Sequence, residues 1–304
     1  MLLSIILVNY KQAEQTIECV RSLEKSSFHD FRTIIVDNES TPESASKLRS
    51  YCPNAVVLPC GSNLGFAGGN NVGIRYAVES GSDFILLLNN DTIVHENLLA
   101  TLVDTIQSRE TIGVVGAKIY YEDRRDLLWF AGGHLSIDKA LATHRGIQKE
   151  DNGAFDTLQE TDFVTGCCLM TKREVIEHIG MLDTGFFLYY EDSDFCTRAK
   201  DAGYSVIYQP KAVLYHKVSY STELDSPVYI YFNLRNKILF LRKHGSPARW
   251  IRHLPYFFYF YGRQFIRLII KRHNLRGARA AYLGLVDGLR SFTGEHGEGN
   301  LMRL

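Results

Sequence analysis

The sequence predicts an α/β fold in which a mostly parallel sheet flanked by helices is followed by a basic helical extension at the C-terminal end. Three observations carry this prediction. Short apolar strands alternate with helices through the first hundred residues of the 304-residue chain. Three of the strands end directly on polar side chains, and residues 226–286 contain twelve Arg and Lys but no Asp or Glu. Apolar strands that alternate with helices are typical of a parallel sheet covered on both faces.

Each element is predicted from hydrophobic periodicity and from the turn residues around it. The expected strands in the first part of the chain are residues 3–8, 33–36, 55–58, 84–88 and 113–119. The expected helices between them are residues 12–23, 42–49, 65–78 and 96–106. After a weaker pattern, order is expected to return at 163–171. We then expect strands at 205–208 and 212–215 and helices at 172–178, 191–202, 229–243 and 248–271.

The composition bounds the class of protein. The chain is 45% hydrophobic and 22% charged, which excludes a wholly disordered protein. Lys and Arg number 34, as do Asp and Glu, so the net charge indicates no partner. None of the six cysteines forms a CxxC pair, and we expect reduced thiols in a cytoplasmic protein. The apolar start is interpreted as a buried strand rather than a signal peptide. We expect an α/β domain at residues 1–222 and a helical, basic region at 223–304.

Three of the predicted strands lead straight into polar residues, at Asn9-Tyr10, Asp37-Asn38 and Asn89-Asn90-Asp91. In an open α/β sheet, ligands bind beyond the carboxyl ends of the strands. Three such endings on one edge predict a binding site there.

Asp91 is the acidic residue best placed to hold a metal. A carboxylate at a strand end, preceded by Asn89, can bind a divalent cation that bridges two phosphates. The structural alternative is that this segment caps the helix that follows. Asp37 presents a similar choice, because it can accept a hydrogen bond from a pyrimidine N3–H or a ribose hydroxyl, or serve as a turn residue.

Residues 63–71 form a glycine-rich entry to a helix. The free N–H groups and the positive dipole end of such a helix suit a phosphate. The run is not a GxGxxG motif after the first strand, so it gives little support to a dinucleotide-binding fold. A tight loop that packs a helix on the sheet explains the same glycines equally well.

A second acidic cluster begins the predicted helix 191–202. The positive end of a helix favours carboxylates, and Asp194 is expected to pair with Arg198 at i,i+4 spacing. Glu191 and Asp192 are left over, and one of them can act as a general base. His216, at the end of a strand, is interpreted by itself as a structural histidine. Beside Asp91 it could serve as a metal ligand, which would favour Mn²⁺.

Taken together, these motifs resemble the inverting glycosyltransferases of family 2, which have the GT-A fold. The resemblance covers roughly residues 1–216 and rests on segments 4–10, 36–38, 63–71, 87–92, 165–168 and 187–194, followed by His216. Asn-Leu-Gly-Phe-Ala-Gly-Gly-Asn at 63–70 and Tyr-Phe-Asn-Leu-Arg-Asn at 231–236 are typical of bacterial rhamnosyltransferases that use dTDP-rhamnose.

The resemblance implies a role for each motif. Asp37 would recognise the pyrimidine of the donor, and Asp91 matches the last aspartate of the DxD motif. Asp192 matches the catalytic base, with Glu191 as the runner-up, and His216 would lie near the metal or the diphosphate. The first DxD position is an asparagine, so the divalent cation, Mg²⁺ or Mn²⁺, has one anionic ligand fewer. The remaining residues of the implied donor site are Asn9, Tyr10, Asn38, Gly68, Gly69, Asn70, Asn89 and Asn90.

The implied activity is transfer of L-rhamnose from dTDP-rhamnose, with inversion, onto a hydroxyl of a saccharide or lipid-linked acceptor in bacterial cell-surface polysaccharide synthesis. A UDP-linked donor of galactofuranose, glucose or N-acetylglucosamine is the first alternative. A non-catalytic scaffold that kept the fold is a second. A nucleotidyltransferase is a third, although no Gly-rich loop bearing Arg or Lys follows the first strand.

The basic region predicts a surface for an anionic partner. Helical spacing relates the basic residues Arg263, Arg267 and Lys271 and the apolar residues Phe257, Tyr261, Phe265 and Ile269. The longest uncharged run, residues 254–262, is too short to span a bilayer. We expect a helix that holds the protein on the anionic inner face of the cell membrane; the alternative is a packed helix with a solvated basic face. No motif for reading nucleic acid is found, so that partner is not expected.

Overall fold

The computed structural model describes residues 1–39, 41–218, 226–271, 273–291 and 293. These residues form two compact units. The first contains Met1–His134, His144–Leu182 and the described residues from 192 to 218. The second contains Leu135–Thr143, Asp183–Glu191 and the described residues from 226 onward. The predicted boundary between residues 222 and 223 lies outside the described residues.

Strands and helices alternate as the periodicity predicts. The strands are β1 Leu3–Asn9, β2 Phe31–Asp37, β3 Val56–Pro59, β4 Phe84–Leu88, β5 Thr92–Val94, β6 Ile112–Tyr121, β7 Leu128–Phe130, β8 Gly133–Ser136, β9 Leu141–His144, β10 Gln159–Glu160, β11 Cys168–Lys172 and β12 Ser205–His216. The helices are α1 Ala13–Leu23, α2 Pro42–Tyr51, α3 Gly65–Glu79, α4 Leu98–Gln107, α5 Arg173–Ile179, α6 Glu191–Asp201, α7 Pro227–His244, α8 Pro247–Ile266 and α9 Leu275–Arg290. A short 3₁₀ helix spans Ile137–Lys139, and a π-helical turn spans Arg267–Lys271.

The central sheet has the strand order β10-β12-β6-β11-β4-β1-β2-β3, with β5 beside β12 and β7 beside β6. Strands β1, β2, β3, β4, β6 and β12 run in one direction, and β11 runs the opposite way between β4 and β6. Helices α1, α2, α3 and α4 pack on these strands. The prediction of a mostly parallel sheet flanked by helices is confirmed.

One element prediction is wrong in detail. Residues 205–216 form one strand rather than two, with an irregularity in the pairing between Gln209 and Val213. Pro210 breaks the sequence pattern, but the Gln209 side-chain carbonyl accepts a hydrogen bond from the Lys211 N–H at 3.1 Å, which carries the strand past the proline. Within the ordered run 163–171, the strand begins at Cys168, and the residues before it form a loop at the sheet edge.

This topology brings distant polar residues to one edge of the sheet. The carboxyl ends of parallel strands lie on the same side, and Asn9 at the end of β1 is in register with Asp37 at the end of β2. Because β11 is antiparallel to its neighbours, its amino end also lies on that side. The edge therefore collects the ends of β1, β2, β4 and β12 and the loop that precedes β11.

Helix α3 lies close against the sheet, and its glycines permit this approach. A Cβ atom on Gly73 would lie 2.5 Å from Ile6 Cγ2, and one on Gly69 would lie 3.0 Å from Val8 Cγ1. Contacts under 3.0 Å are not tolerated in packed cores, so α3 can sit at this depth only with glycine facing β1. The structure thus gives the glycine-rich run a packing role.

The second unit is built around α7 and α9. Tyr231, Phe232 and Leu234 of α7 are buried together with Ala280 and Ala281 of α9. The two helices approach closely at Gly284, where a Cβ atom would lie 2.6 Å from the Tyr231 carbonyl oxygen. The described residues contain no helix long and apolar enough to cross a membrane.

Helix α8 has apolar residues on two sides. The predicted stripe turns inward: Tyr261 is buried, and Phe257 and Phe265 pack against the same core. Its last member, Ile269, is 45% exposed. A second set of large apolar residues, which shares Ile269 with the predicted stripe, is exposed along α8 and the π-helical turn that follows it. This set, here called the outer stripe, consists of Ile251, Leu254, Phe258, Tyr259, Ile266, Ile269 and Ile270.

Candidate active site

A buried polar network links the ends of β1, β2 and β4 in the first unit. Asn9 donates from Nδ2 to Asp37 Oδ1 at 2.9 Å, and the Ser44 hydroxyl donates to the same oxygen at 3.0 Å. Thr16 donates to Asn9 Oδ1 at 3.1 Å and accepts from Asn90 Nδ2 at 2.9 Å. The predicted site residues Asn9, Asp37 and Asn90 are therefore brought together, and Thr16 is the connection that the sequence did not reveal.

The network holds Asp37 below the surface. Asn9 and Asp37 are fully buried, and only Tyr10, the next residue of the predicted pocket, is partly exposed. The carboxylate is thus fixed at the strand end by side chains from two other elements.

The other predicted donor-site residues near the end of β2 lie at the start of α3 or bind to it. Asn38 accepts a hydrogen bond from the Leu64 N–H at 3.1 Å and donates to the Gly65 carbonyl at 2.9 Å. Gly68, Gly69 and Asn70 lie past the first turn of α3, where the N–H groups bond to carbonyls of the preceding turn. Their amides are therefore not among the free N–H groups at the open end of the helix.

Asp91 and His216 meet at the edge of the sheet. His216 Nε2 lies 3.0 Å from Asp91 Oδ1 and 3.3 Å from Asn89 Nδ2. The Lys217 N–H also donates to the Asp91 carbonyl at 2.9 Å. Burial by itself raises the pKa of the Asp91 carboxyl, but the charge and hydrogen bond of His216 and the nearby Lys217 hold it below its usual value. Asp91 is an ionised carboxylate at neutral pH.

The imidazole of His216 is oriented by Trp129, a residue that sequence analysis did not single out. The two rings meet edge to face with centroids 4.6 Å apart. Trp129 makes the same kind of contact with His144, also at 4.6 Å. Burial lowers the pKa of His144 to about 4, so that ring is neutral at pH 7 and adds no charge beside His216. The signal in the sequence was an isolated Trp within the weakly patterned region 120–162.

Asp192 is held by the loop that precedes β11. Its carboxylate accepts hydrogen bonds from the Gly166 N–H at 3.0 Å and from the Ser193 N–H at 2.6 Å. Burial raises the pKa of the Asp192 carboxyl above its usual 3.8, although the N–H groups of Gly166 and Ser193 act in the opposite direction. A carboxylate that is fixed in place and holds a proton more readily than usual is suited to general-base chemistry.

Gly166 also contacts the glycine-rich segment. A Cβ atom on Gly166 would lie 2.8 Å from Phe66 Cε1 and 3.8 Å from Asp192 Cβ. Phe66, at the start of α3, therefore packs against the same backbone that donates to Asp192. Phe66, Gly166 and Asp192, from three of the predicted motif segments, are therefore neighbours in the first unit.

The other acidic residues of α6 have different surroundings. Asp194 is fully buried and accepts from Arg198 Nε at 2.8 Å, so the predicted i,i+4 pair is confirmed. Arg198 also donates to the carbonyls of Ile179 and Met181, which fixes the turn after α5. Glu191 is buried and belongs to the second unit.

Few side chains of the site are placed to bind a metal ion. Within the ranges that the structure describes, no group of three or more His, Cys, Asp or Glu side chains is placed to hold a metal ion. Asp91 and His216 supply one carboxylate oxygen and one imidazole nitrogen. A carboxylate and an imidazole suit a cation such as Mn²⁺, whose other positions can be filled by oxygens of a ligand or water.

The mostly parallel sheet with its polar edge has the architecture of the GT-A glycosyltransferases, which bind nucleotide sugars. The sequence profile described as "Glycosyl transferase family 2" matches residues 4–180. The chain belongs to glycosyl transferase family 2, and it is a glycosyltransferase.

Similar proteins match this chain over most of its length. The low-salt glycan biosynthesis hexosyltransferase Agl10 of Haloferax volcanii is 26% identical over 96% of this chain and 92% of its own. The N-acetylglucosaminyl-diphospho-decaprenol L-rhamnosyltransferase of Mycobacterium tuberculosis is 23% identical over 94% of this chain and 98% of its own. The solved structure of the mannosyltransferase PcManGT from Pyrobaculum calidifontis, in complex with GDP-Man and Mn²⁺, matches with a TM-score of 0.57 and 17% identity, over 99% of this chain and 78% of that one.

Proposed function

We propose that the protein transfers a sugar from a nucleoside diphosphate to a hydroxyl acceptor with inversion at the anomeric carbon, and that Asp192 is the general base. The bond between C1 and the phosphate oxygen breaks as the bond between C1 and the acceptor oxygen forms. The diphosphate leaves with the electron pair, and the acceptor proton moves to the Asp192 carboxylate. Such a base contributes on the order of 10²–10⁴-fold in rate.

The observation that carries this proposal is the environment of Asp192. Two backbone N–H groups, from Gly166 and Ser193, hold its carboxylate at the edge where nucleotide ligands of such sheets bind. Its raised pKa makes it a better proton acceptor than an ordinary exposed aspartate. Glu191 is the second choice for the base, because it is the adjacent carboxylate.

A divalent cation is the cofactor that the site favours. Asp91 and His216 would hold it, and the Mn²⁺ of the mannosyltransferase PcManGT supports such an ion in this fold. When bound, the cation supplies positive charge that stabilises a departing diphosphate. The nearby side chain of Asn89 is a neutral amide where the family motif has a carboxylate. Because the protein then supplies one negative charge fewer, the site favours an ion that binds together with its nucleotide.

The preferred donor is dTDP-rhamnose. The support is the motif resemblance at 63–70 and 231–236 and the rhamnosyltransferase name of the mycobacterial relative. Asp37 is proposed to accept the pyrimidine N3–H, with Asn9 and Tyr10 beside it. A UDP-linked sugar is the second candidate, because the same acceptor group suits both pyrimidines. The acceptor is proposed to be a saccharide, free or lipid-linked, and the product a cell-surface polysaccharide.

An anionic membrane surface is proposed as a partner of the second unit. The outer stripe of α8 exposes Phe258 at 71% and Tyr259 at 64%, and Arg252 and Arg263 are exposed on the same helix. Inserting one large apolar side chain contributes about 1.5–3 kcal/mol, and each basic residue near anionic lipid contributes about 1 kcal/mol. Residues 226–286 contain no acidic residue of their own, and Arg252 is paired with Asp138 of the same unit at 3.0 Å. The protein is proposed to act in the cytoplasm on the inner face of the cell membrane.

The test of the proposed function is the variant Asp192→Asn. Turnover with dTDP-rhamnose and a lipid-linked acceptor is expected to fall by on the order of 10²–10⁴-fold, while a thermal shift with dTDP and Mn²⁺ is retained. Asp201→Asn is the matched control, because Asp201 is exposed at the other end of α6. Turnover unchanged by Asp192→Asn would move the role to Glu191, and stabilisation by GDP alone would overturn the donor assignment.

The test of the membrane partner is flotation with vesicles of phosphatidylglycerol or of phosphatidylcholine. The protein is expected to float with the anionic vesicles at low salt and to be released by high salt. The double variant Phe258→Ser/Tyr259→Ser is expected to lose flotation. Tyr51→Ser is the control, since Tyr51 is 56% exposed on α2 of the first unit. A protein that stays soluble at low salt would contradict the proposal.

A further inference from the structure

The segment that leads into α6 has an unusual backbone. Phe187, Tyr189 and Tyr190 adopt positive φ angles of 64°, 70° and 75°. Non-glycine residues rarely adopt this left-handed conformation, because the Cβ atom crowds the backbone. Three such residues within four positions persist only where the surroundings hold them, and such strain concentrates at functional sites. Glu191 and Asp192 follow directly in the chain.

Asn236 on α7 supplies much of this support. Its side-chain amide donates to the carbonyls of Phe186 at 2.9 Å, Leu188 at 2.7 Å and Tyr189 at 2.7 Å. Phe186 directly precedes the first residue with a positive φ angle, and Leu188 and Tyr189 lie within the segment. One buried amide that gathers three carbonyls therefore fixes the path of the strained segment.

Arg235 completes the support from the neighbouring position. Its Nη2 donates to the carbonyls of Gly185 at 3.0 Å and Phe186 at 2.7 Å, and its Nε donates to Asn236 Oδ1 at 2.8 Å. The last contact orients the Asn236 amide so that its N–H groups face the segment. Both side chains are fully buried. Burying an arginine is costly, so its placement against backbone carbonyls indicates a specific structural task.

We propose that Arg235 and Asn236 are positioning residues for the general base: they hold residues 185–190 in the conformation from which Asp192 enters α6. This inference rests on the proposed role of Asp192. It gives the Tyr-Phe-Asn-Leu-Arg-Asn motif at 231–236 a physical task, because its last two residues form the support. Neither residue needs to touch substrate. Their effect reaches the reaction through the placement of the carboxylate that follows the segment.

The experiment compares Asn236→Ala with Lys237→Met in the full-length chain. Misplacing a catalytic group by about 1 Å can cost on the order of 10²-fold in rate, so Asn236→Ala is expected to lower kcat by about that factor. The dissociation constant for dTDP is expected to be unchanged, because none of the predicted donor residues lies in the segment 185–190 or next to it in the chain. Lys237 is equally buried on the same helix and faces the ring of Phe260 at 3.8 Å, so Lys237→Met controls for a buried change.

Further variants separate positioning from folding. Tyr189→Gly added to Asn236→Ala is expected to restore part of kcat, because glycine adopts a positive φ without strain. If Asn236→Ala fails to fold, Arg235→Lys is the variant that tests the inference. It keeps the positive charge but loses the planar guanidinium group, and it is expected to lower kcat. A folded variant with wild-type kcat, or a parallel loss of kcat and dTDP binding, would overturn the inference. Wild-type turnover in Asp192→Asn would instead overturn the proposed base.

Discussion

Gly166→Ala tests the contact that holds the proposed base. The added Cβ atom would lie 2.8 Å from Phe66 Cε1 and 2.9 Å from Phe66 Cζ. Overpacking of this kind costs about 1–3 kcal/mol. If the backbone at Gly166 moves to relieve it, the N–H group leaves Asp192, and a hydrogen bond to a charged group contributes about 1.5–3 kcal/mol. The carboxylate then loses its fixed position, and because misplacing a catalytic group by about 1 Å can cost on the order of 10²-fold in rate, kcat is expected to fall roughly 10- to 100-fold.

The assay is steady-state transfer with donor and acceptor varied separately, together with a dTDP thermal shift. Phe66→Leu in the Gly166→Ala background is expected to restore part of kcat, because the smaller side chain leaves room for the methyl group. Gly113→Ala is the matched control: its Cβ atom would lie 2.7 Å from Tyr204 Cβ at the amino end of β6, away from the site. The control is expected to lose stability but not kcat. Equal kcat losses in the two alanine variants would refute the reasoning.

Three further predictions concern the same unit. Thr16→Val removes the hydroxyl that joins the ends of β1 and β4, so thermal unfolding is expected to show a loss of about 1–3 kcal/mol in the free energy of unfolding. Thr16→Ser is expected to restore most of it, and an unchanged melting temperature in Thr16→Val would contradict a stabilising role of the network. Arg198→Ala removes the guanidinium that pairs with the buried Asp194 carboxylate, so the free energy of unfolding measured with denaturant is expected to fall by about 3–5 kcal/mol. Arg198→Lys is not expected to restore it, because lysine lacks the planar guanidinium. A fall of less than about 1 kcal/mol in Arg198→Ala would refute this prediction. Because the pKa of Asp192 is raised, kcat/KM is expected to fall on acidification with a midpoint above 3.8. The same raised pKa means that ionisation of Asp192 lowers the free energy of unfolding as the pH rises through that pKa. Chemical denaturation should therefore show wild type to be less stable than Asp192→Asn only above the pKa of Asp192.

Much of the first unit could be predicted because its signals are local. Continuous apolar strands, turn residues and helix starts identify β1 to β4 and α1 to α4 within a few residues. Parallel strands share an edge, so the convergence of Asn9, Asp37 and Asp91 on one side follows from the strand endings alone. The Asp194–Arg198 pair follows from helical spacing.

The rest depends on contacts between residues far apart in the chain. Nothing in the sequence shows that Thr16 joins two strand ends or that Trp129 orients His216, because each contact is made by the sheet topology. The glycine-rich segment fits both a phosphate and a close helix–sheet contact, and only the packing of α3 on β1 shows the second. Likewise, helical periodicity found one apolar stripe on α8 but could not tell which side the core of the second unit would cover.

The central claim is that the ends of distant strands gather a cation, a diphosphate and a proton acceptor around one anomeric carbon. The most direct measurement is a crystal structure of the protein with dTDP and Mn²⁺, with the ion located by anomalous scattering. The account predicts the ion within about 2.2 Å of an Asp91 oxygen, beside His216, with the pyrimidine on the Asp37 side and the terminal phosphate facing Asp192. An ion and nucleotide bound away from Asp91 and Asp192 would contradict it.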